Sequence, residues 1–316
     1  MATVTAAPDS TTAWLLAGDP AIRLQTLADL KGSAPDVVAA ERARVASEGW
    51  GARLLALQDR SGRWADALYS PKWTSTTYTL LLLHWFGLPS GDPRALAGCA
   101  QLWDGAHVYD GGINLAKTVR EPETCITGML VLLAASFGFE HERVRPALEW
   151  QLGQQLEDGG WNCETVRAGS RHGSFHTTIT VLEALLVART APWAAGLALD
   201  DAAARGRAFL LAHRLFRSHR TGAVADPALL TWRFPPQWHY DVLRGLDHFR
   251  AAGAPGDERL GDALAAVRDA RGPDGRWAHH APYAGRTWFA LEARGTSRWN
   301  TLRAERVLAA YGDVVA

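Results

Sequence analysis

A three-part unit recurs along the chain: a stretch with amphipathic helical periodicity, a long polar loop, and a stretch that is apolar on nearly every face. The apolar stretches begin at Thr74, Cys125, His176, His239 and Asn300. By subtraction these starts are 51, 51, 63 and 61 residues apart, and Asp19–Lys31 supplies an earlier copy. A helix pair of this kind cannot bury its apolar face alone, and six stacked pairs can close into a ring. The sequence therefore predicts an all-α (α/α)6 toroid without strands. It forms one domain over residues 1–316, with residues 1–18 as an N-terminal extension.

The long loops all connect an outer helix to an inner helix, whereas the reverse connections, such as 87–95, are short. In a ring, the long loops therefore share one end with the N-termini of the inner helices. Unpaired amides and helix dipoles at that end favour an anion or a thiolate. The sequence predicts a central cavity that opens at the N-termini of the inner helices.

Charge and composition exclude several classes of partner. Lysine plus arginine equals aspartate plus glutamate at 33 each, so no net field attracts nucleic acid or an anionic membrane. No apolar run is long enough to span a bilayer, and the first residues lack a signal-peptide pattern, so we expect a cytoplasmic protein. Three widely spaced cysteines argue against a disulfide framework and leave room for metal or thiolate chemistry.

Three of the loops share a glycine-tryptophan pattern: Gln58–Trp64 (QDRSGRW), Gln155–Cys163 (QLEDGGWNC) and Arg271–Trp277 (RGPDGRW), with degenerate copies at Tyr109–Leu115 and Arg220–Ala223. They resemble the repeats of the squalene and terpene cyclase and protein prenyltransferase superfamily, here a small bacterial-type branch. The resemblance implies the toroid and, in some members, isoprenoid chemistry in its central cavity. The tryptophans themselves have a simpler interpretation, as large aromatic side chains packed between repeats.

The chain also departs from that superfamily. Class II cyclases carry an Asp-x-Asp-Asp acid, and no such run occurs here. No stretch fits the Asp-rich magnesium motif of class I enzymes, because Asp200–Ala204 is better explained as a solvated helix start. Both departures weigh against cyclisation that begins by protonation or by diphosphate ionisation.

The zinc-using branches of the superfamily fit other residues. The β subunits of protein prenyltransferases hold zinc at inner-helix N-termini. Ser174–Ile179 (SFHTTI) resembles their histidine-bearing helix start, with His176 in the ligand position. Lanthipeptide cyclases form another zinc-binding toroid, but their Cys-His-Gly signature is missing. The predicted metal ligands are Cys125, Cys163, His176 and His239, and the predicted cofactor is Zn²⁺. Alternatively, the cysteines are small buried apolar side chains and the histidines are capped core groups.

Further polar and aromatic residues are predicted near the same end. The catalytic candidates are Asp110, Glu123, Tyr240 and Asp241, and the substrate-binding candidates are Trp73, Arg220, Trp238, Arg244 and Trp299. Together they predict a cyclase-like or transferase-like enzyme, dependent on zinc, that acts on a small or isoprenoid substrate. Two alternatives remain open: metal-free cyclisation with Asp110 or Asp241 as the acid, and a binding or scaffold protein without chemistry.

Overall fold

The computed structural model describes residues 10–116 and 119–312. Helices make up 52% of the described residues, which agrees with the predicted all-α class. Residues 1–9 of the predicted N-terminal extension and residues 313–316 of the predicted domain lie outside the described residues. Within the described ranges, none of the helices is both long enough and apolar enough to cross a bilayer.

The helices, in chain order, are α1 (Ser10–Leu16), α2 (Pro20–Gln25), α3 (Pro35–Arg44), α4 (Gly49–Leu55), α5 (Thr76–Phe86), α6 (Pro93–Asp104), α7 (Thr124–Phe137), α8 (Val144–Gly153), α9 (Thr165–Ala168), α10 (Phe175–Ala188), α11 (Leu199–Ala212), α12 (Val242–Ala251), α13 (Gly261–Asp269) and α14 (Arg298–Tyr311). A π-helical turn, Thr26–Leu30, continues α2. Short 3₁₀ turns lie at Pro192–Ala194, Pro227–Leu230 and Glu258–Leu260.

Burial separates central from peripheral helices. Nine of the eleven residues of α5 and eleven of the fourteen of α7 are buried, whereas α3 has no buried residue. Stretches that are apolar on every face therefore became central helices, because only the interior covers all sides of a helix. Both α5 and α7 end at a glycine with positive φ, Gly87 and Gly138, which is the usual C-terminal stop.

The central helices contact one another in a cyclic order. Helix α2 contacts α5, α5 contacts α7, α7 contacts α10, α10 contacts α12, α12 contacts α14, and α14 returns to α2. The longer peripheral helices pack against this series: α6 against α5 and α7, α8 against α7, α11 against α10, and α13 against α12 and α14. Each peripheral helix thus lies beside the central helices that adjoin it in sequence.

The three glycine-tryptophan loops have the same local structure. The indole N–H groups of Trp64, Trp161 and Trp277 donate to carbonyl oxygens ten residues earlier, in Leu54, Gln151 and Val267, at 2.7, 2.9 and 2.7 Å. Their backbone N–H groups donate to the hydroxyls of Thr76, Thr178 and Thr301, near the starts of central helices, at 3.1, 3.0 and 3.1 Å. Each tryptophan therefore ties the end of a peripheral helix to the start of a central one.

The degenerate loop Tyr109–Leu115 differs from the all-helical expectation. It forms an antiparallel hairpin of β1 (His107–Tyr109) and β2 (Gly112–Asn114), so the prediction that the chain contains no strands is wrong here. Asp110 and Gly111 form the turn with φ of 49° and 96°, and both residue types tolerate such left-handed conformations in tight hairpins. Ile113 takes the position of the tryptophan, with its N–H donating to the Thr127 hydroxyl at 2.9 Å.

The fifth central helix begins later than the sequence predicts. Helix α12 starts at Val242 rather than His239, because the carboxylate of Asp241 caps it by accepting the N–H of Arg244 at 2.7 Å. The Asp241 carboxylate therefore binds backbone at a helix start, in a fully buried position.

Candidate functional site

The N-terminal end of the central helices is covered by a long loop. Backbone groups of Lys72 and Trp73 pair with both the N–H and the carbonyl of Arg286, at 3.0 and 3.2 Å. The Trp73 indole donates to the carbonyls of Tyr283 and Ala284 at 3.2 and 3.0 Å. The Trp288 indole, from the same loop, donates to a threonine hydroxyl of α5 at 3.1 Å. The loop therefore fills the end at which the sequence predicts an open cavity.

Aromatic stacking completes this cover. The imidazole of His239 stacks on Tyr283 with ring centroids 3.5 Å apart and on Trp238 at 3.7 Å. A small apolar cavity of about 40 Å³ remains beside Trp73. The predicted substrate-binding residues Trp73 and Trp238 thus pack against protein at this end.

The four predicted zinc ligands lie in two pairs. Cys125 and Cys163 have adjacent thiols, whereas the His176 and His239 rings have centroids 5.9 Å apart. The Nδ1 atom of His176 accepts the backbone N–H of Tyr240 at 2.8 Å, so it is already occupied. Across residues 10–116 and 119–312, no group of three or more histidine, cysteine or acidic side chains is placed to hold a metal ion. The four side chains as arranged do not fit one zinc ion, which needs at least three protein ligands.

The two thiols differ in acidity. A hydrogen bond from Cys125 lowers the pKa of Cys163 to about 6, and the Thr177 hydroxyl acts in the same direction. The same contact, with burial, raises the pKa of Cys125 well above its usual value. Nearby, burial raises the pKa of the Glu123 carboxyl, against the attraction of Arg167. Cys163 is therefore the thiol of this pair that ionises first.

The other predicted catalytic residues, and the predicted substrate-binding residue Arg220, do not gather with the cysteines. Asp110 is exposed at the hairpin turn, and Arg220 is exposed in the loop after α11. The Tyr240 hydroxyl is buried and donates to the carbonyl of Leu215 at 2.8 Å. Burial raises the pKa of Asp241, although the nearby Arg303 guanidinium opposes this. Tyr240 and Asp241 thus make their contacts in the protein interior, whereas Asp110 and Arg220 lie at the surface.

A cavity of about 350 Å³ lies among the central helices, mainly between their C-terminal halves. Its walls come from α5 (His84, Trp85), α10 (Glu183, Leu186, Val187), α12 (Arg244, Asp247, His248, Arg250, Ala251), α14 (Trp299, Arg303, Arg306) and the α2 region (Leu24, Gln25, Asp29), with Arg42, Gly87, Phe234 and Pro236. Arg42 and Ala251 are solvent-exposed, so the cavity reaches the surface beside them. This cavity therefore opens at the C-terminal ends of the central helices, whereas the predicted cavity opens at their N-terminal ends. The loop across Trp73 closes the N-terminal end.

A buried ion pair forms one wall of this central cavity. The guanidinium of Arg244 donates to both carboxylate oxygens of Glu183, at 2.8 and 2.6 Å. It also donates to the carbonyls of Gln237 and His239, at 3.2 and 2.6 Å. The side chain of Arg244 is 5% exposed, so this two-point pair is largely removed from water. Arg244, a predicted substrate-binding residue, does line the cavity, but its donors are engaged by protein.

A second ionic group, which shares α12 with the first, joins three helical segments of the cavity wall. Arg306 of α14 binds Asp247 of α12 and also donates to Asp29, at 2.9 Å, and to Gln25, at 2.8 Å. Arg250 bonds Asp247 at 2.9 Å and lies 3.6 Å from Asp29. Two arginines and two carboxylates thus balance one another.

Arg303 and His248 stand apart from these pairs. Each is 4% exposed and lines the cavity. Among the described residues, neither ring nitrogen of His248 and neither hydrogen of Arg303 Nη1 has a hydrogen-bond partner. The Nη2 atom of Arg303 has only a long contact, 3.4 Å, to Asp241. Burial lowers the pKa of His248 to about 4, so its imidazole is neutral at physiological pH.

Glu183, His248 and Arg303 are not among the site residues predicted from the sequence. A signal was present, since Glu183 is the single Asp, Glu, Lys or Arg of α10, a helix that is mostly buried. A charge within a buried helix requires a partner, which marks it for attention. His248 and Arg303 lack such a signal because α12 and α14 are less apolar.

Comparison with known proteins gives little beyond this geometry. No known protein family matches the sequence, and no curated protein matches it significantly. Among solved structures, a protein from Actinoplanes is 20% identical, with a TM-score of 0.47 over 86% of this chain and 75% of that one. A type II terpene cyclase from Scytonema, solved with its product merosterolic acid A, is 16% identical. Its TM-score is 0.34 over 87% of this chain and 97% of that one.

Proposed function

We propose that the six central helices form a closed (α/α)6 toroid whose central cavity binds a small organic anion. The cyclic order of contacts from α2 through α14 and back to α2 supports the toroid. The observation that carries the ligand class is a buried nitrogen of the Arg303 guanidinium, Nη1, which has no hydrogen-bond partner among the described residues; Arg303 lines the cavity.

The charge of the lining favours an anion. Five arginines (Arg42, Arg244, Arg250, Arg303, Arg306) face three carboxylates (Asp29, Glu183, Asp247). The carboxylate of Asp241 lies beside Arg303 as a fourth. Even with that fourth carboxylate ionised, the lining keeps an excess of one positive charge, so a bound anion is attracted.

Hydrogen bonding adds to that attraction. A buried donor without a partner costs about 1–3 kcal/mol, and a charged one costs more. A carboxylate or phosphate oxygen at Arg303 Nη1 removes this cost and forms a charge-assisted hydrogen bond. The neutral His248 imidazole offers one donor and one acceptor, which suits a hydroxyl, carbonyl or amide elsewhere on the ligand.

Aromatic side chains provide a surface for the ligand's apolar part. Trp299 stacks on Phe234 with ring centroids 3.8 Å apart, and Trp85 lies beside Phe234 at 6.3 Å. All three line the cavity, whose volume falls in the range of sites for small molecules, roughly 300–1,000 Å³. A pure hydrocarbon chain would leave Arg303 Nη1 and both ring nitrogens of His248 without the partners they lack among the described residues, so this geometry favours an anion over an isoprenoid hydrocarbon. The cyclase-like or transferase-like activity and the zinc remain predictions of the sequence.

A thermal-shift screen tests the proposal. The full chain is heated with small carboxylates and phosphates, each beside an uncharged amide or ester of the same shape. We expect acids, but not their uncharged analogues, to raise the Tm, and Arg303→Gln to abolish the shift. The matched control is Arg171→Gln, an exposed arginine in the loop before α10, which should keep it. Equal shifts for acids and uncharged analogues, or an unchanged shift in Arg303→Gln, contradict the proposal.

A further inference from the structure

Two chain segments run side by side at the N-terminal end of the central helices. The Thr124 hydroxyl donates to the carbonyl of Asn162 at 3.4 Å. Arg167 lies 3.7 Å from Glu123 and 3.5 Å from Glu164, so it bridges the two segments. These contacts flank position 125 in one segment and position 163 in the other, and each of those positions is a cysteine.

The two cysteine side chains meet beside these contacts. The thiol of Cys125, in the first turn of α7, hydrogen-bonds the thiol of Cys163. Both cysteines are partly exposed, so a small reagent can reach them. Cys99 differs, since it is fully buried and its thiol lies 3.9 Å from the carbonyl of Leu133. The chain thus carries one accessible thiol pair and one internal control.

We propose that Cys125 and Cys163 form a reversible dithiol–disulfide site that exchanges with small disulfides such as glutathione disulfide. This site is separate from the central cavity, since neither cysteine lines it. The inference therefore does not depend on the proposed anion binding.

The thiol–disulfide exchange takes place in two steps. The thiolate of Cys163 attacks one sulfur of glutathione disulfide, whose S–S bond breaks, and one glutathione leaves as a thiolate. The sulfur of Cys125 gives its proton to water and attacks the Cys163 sulfur of the mixed disulfide. The second glutathione then leaves. The two cysteines lose two electrons, and one glutathione disulfide is reduced to two thiols.

Closing the bond would join the first turn of α7 to the loop that precedes α9. The contacts through Thr124 and Arg167 already hold these segments together, so little backbone movement is needed. A disulfide requires the two Cα atoms to lie within roughly 7 Å, which such flanking contacts favour. The folded chain should therefore form this bond in preference to any link with Cys99.

The test uses the full chain with a chelator present, titrated with mixtures of reduced and oxidised glutathione. Free thiols are counted, and digested peptides are mapped by mass spectrometry. We expect loss of two of the three thiols, a link between Cys125 and Cys163, and a free Cys99. Cys125→Ser should retain one glutathione on Cys163, because the resolving thiol is gone. If that variant fails to fold, the map of the wild-type chain decides alone.

Three results would overturn the proposal. In the first, Cys125 and Cys163 each carry a glutathione without linking, and the peptide map shows two separately modified peptides. In the second, the link forms no more readily in the folded chain than in the same chain in urea, so that the fold contributes nothing. In the third, both thiols stay reduced under conditions in which the unfolded chain is oxidised.

Discussion

Breaking the buried pair between Glu183 and Arg244 should destabilise the protein more than removing both partners. In Glu183→Met, the guanidinium of Arg244 loses its carboxylate while it stays 5% exposed. An unpaired buried charge of this kind costs about 3–5 kcal/mol. The single variant should therefore lose that much free energy of unfolding.

The double variant Glu183→Met/Arg244→Met leaves no buried charge behind. What it loses are the two bonds from Arg244 to the carbonyls of Gln237 and His239. At about 1 kcal/mol for each hydrogen bond, the expected loss is about 2 kcal/mol. The double variant should thus be more stable than Glu183→Met alone.

These differences in the free energy of unfolding are measured by urea titration. Unfolding is monitored by tryptophan fluorescence and by far-UV circular dichroism, and the two transitions must coincide for a two-state analysis. The control is Glu149→Met, which breaks an exposed pair with Arg145 and should cost less than about 1 kcal/mol. A double variant whose loss equals the sum of the two single losses would refute the reasoning, since the pair would then make no joint contribution.

Three further predictions concern the repeat loops, the buried histidine and the metal. Trp161→Phe removes the indole bond to Gln151 and should lower the free energy of unfolding by about 1–3 kcal/mol; a loss no greater than that of an exposed substitution contradicts the structural role. His248 has a folded pKa of about 4, below the roughly 6.5 of an unfolded chain. Stability should therefore fall, by up to about 3 kcal/mol, as pH drops from 6.5 to 4, and His248→Asn should flatten this slope, whereas an unchanged slope would count against a neutral buried imidazole. The sequence-based zinc hypothesis requires about one zinc per chain by metal analysis, lost in both Cys163→Ser and His176→Ala; metal-free protein or zinc retained by either variant contradicts it.

The sequence predicted the helices well because burial leaves a direct trace in residue type. Central helices such as α5 and α7 are apolar on every side, and the periodicity places their starts within two residues. The hairpin at Tyr109–Leu115 was missed because the repeat pattern suggested a loop without regular structure. Its Asp-Gly-Gly turn is itself a hairpin signal.

The position of the cavity could not be predicted from the same pattern. The helix N-termini at one end indicated that a cavity opens there. Whether that end is open depends on the position of the loop around Tyr283 and Trp288, which covers it. Loop placement depends on contacts between segments about 210 residues apart, which local periodicity does not contain. Likewise, Arg303 matters because its Nη1 atom has no hydrogen-bond partner among the described residues, and such partners are known only in three dimensions.

The central claim is that the cavity binds an anion at Arg303. The most direct test is to locate a simple anion bound inside the protein. Crystals of the full chain soaked in bromide or iodide reveal halide positions by anomalous scattering, without knowledge of the natural ligand. The account predicts a halide in the central cavity within hydrogen-bonding distance of Arg303 Nη1, and its loss in Arg303→Gln. Halides on surface arginines with none in the cavity would contradict it.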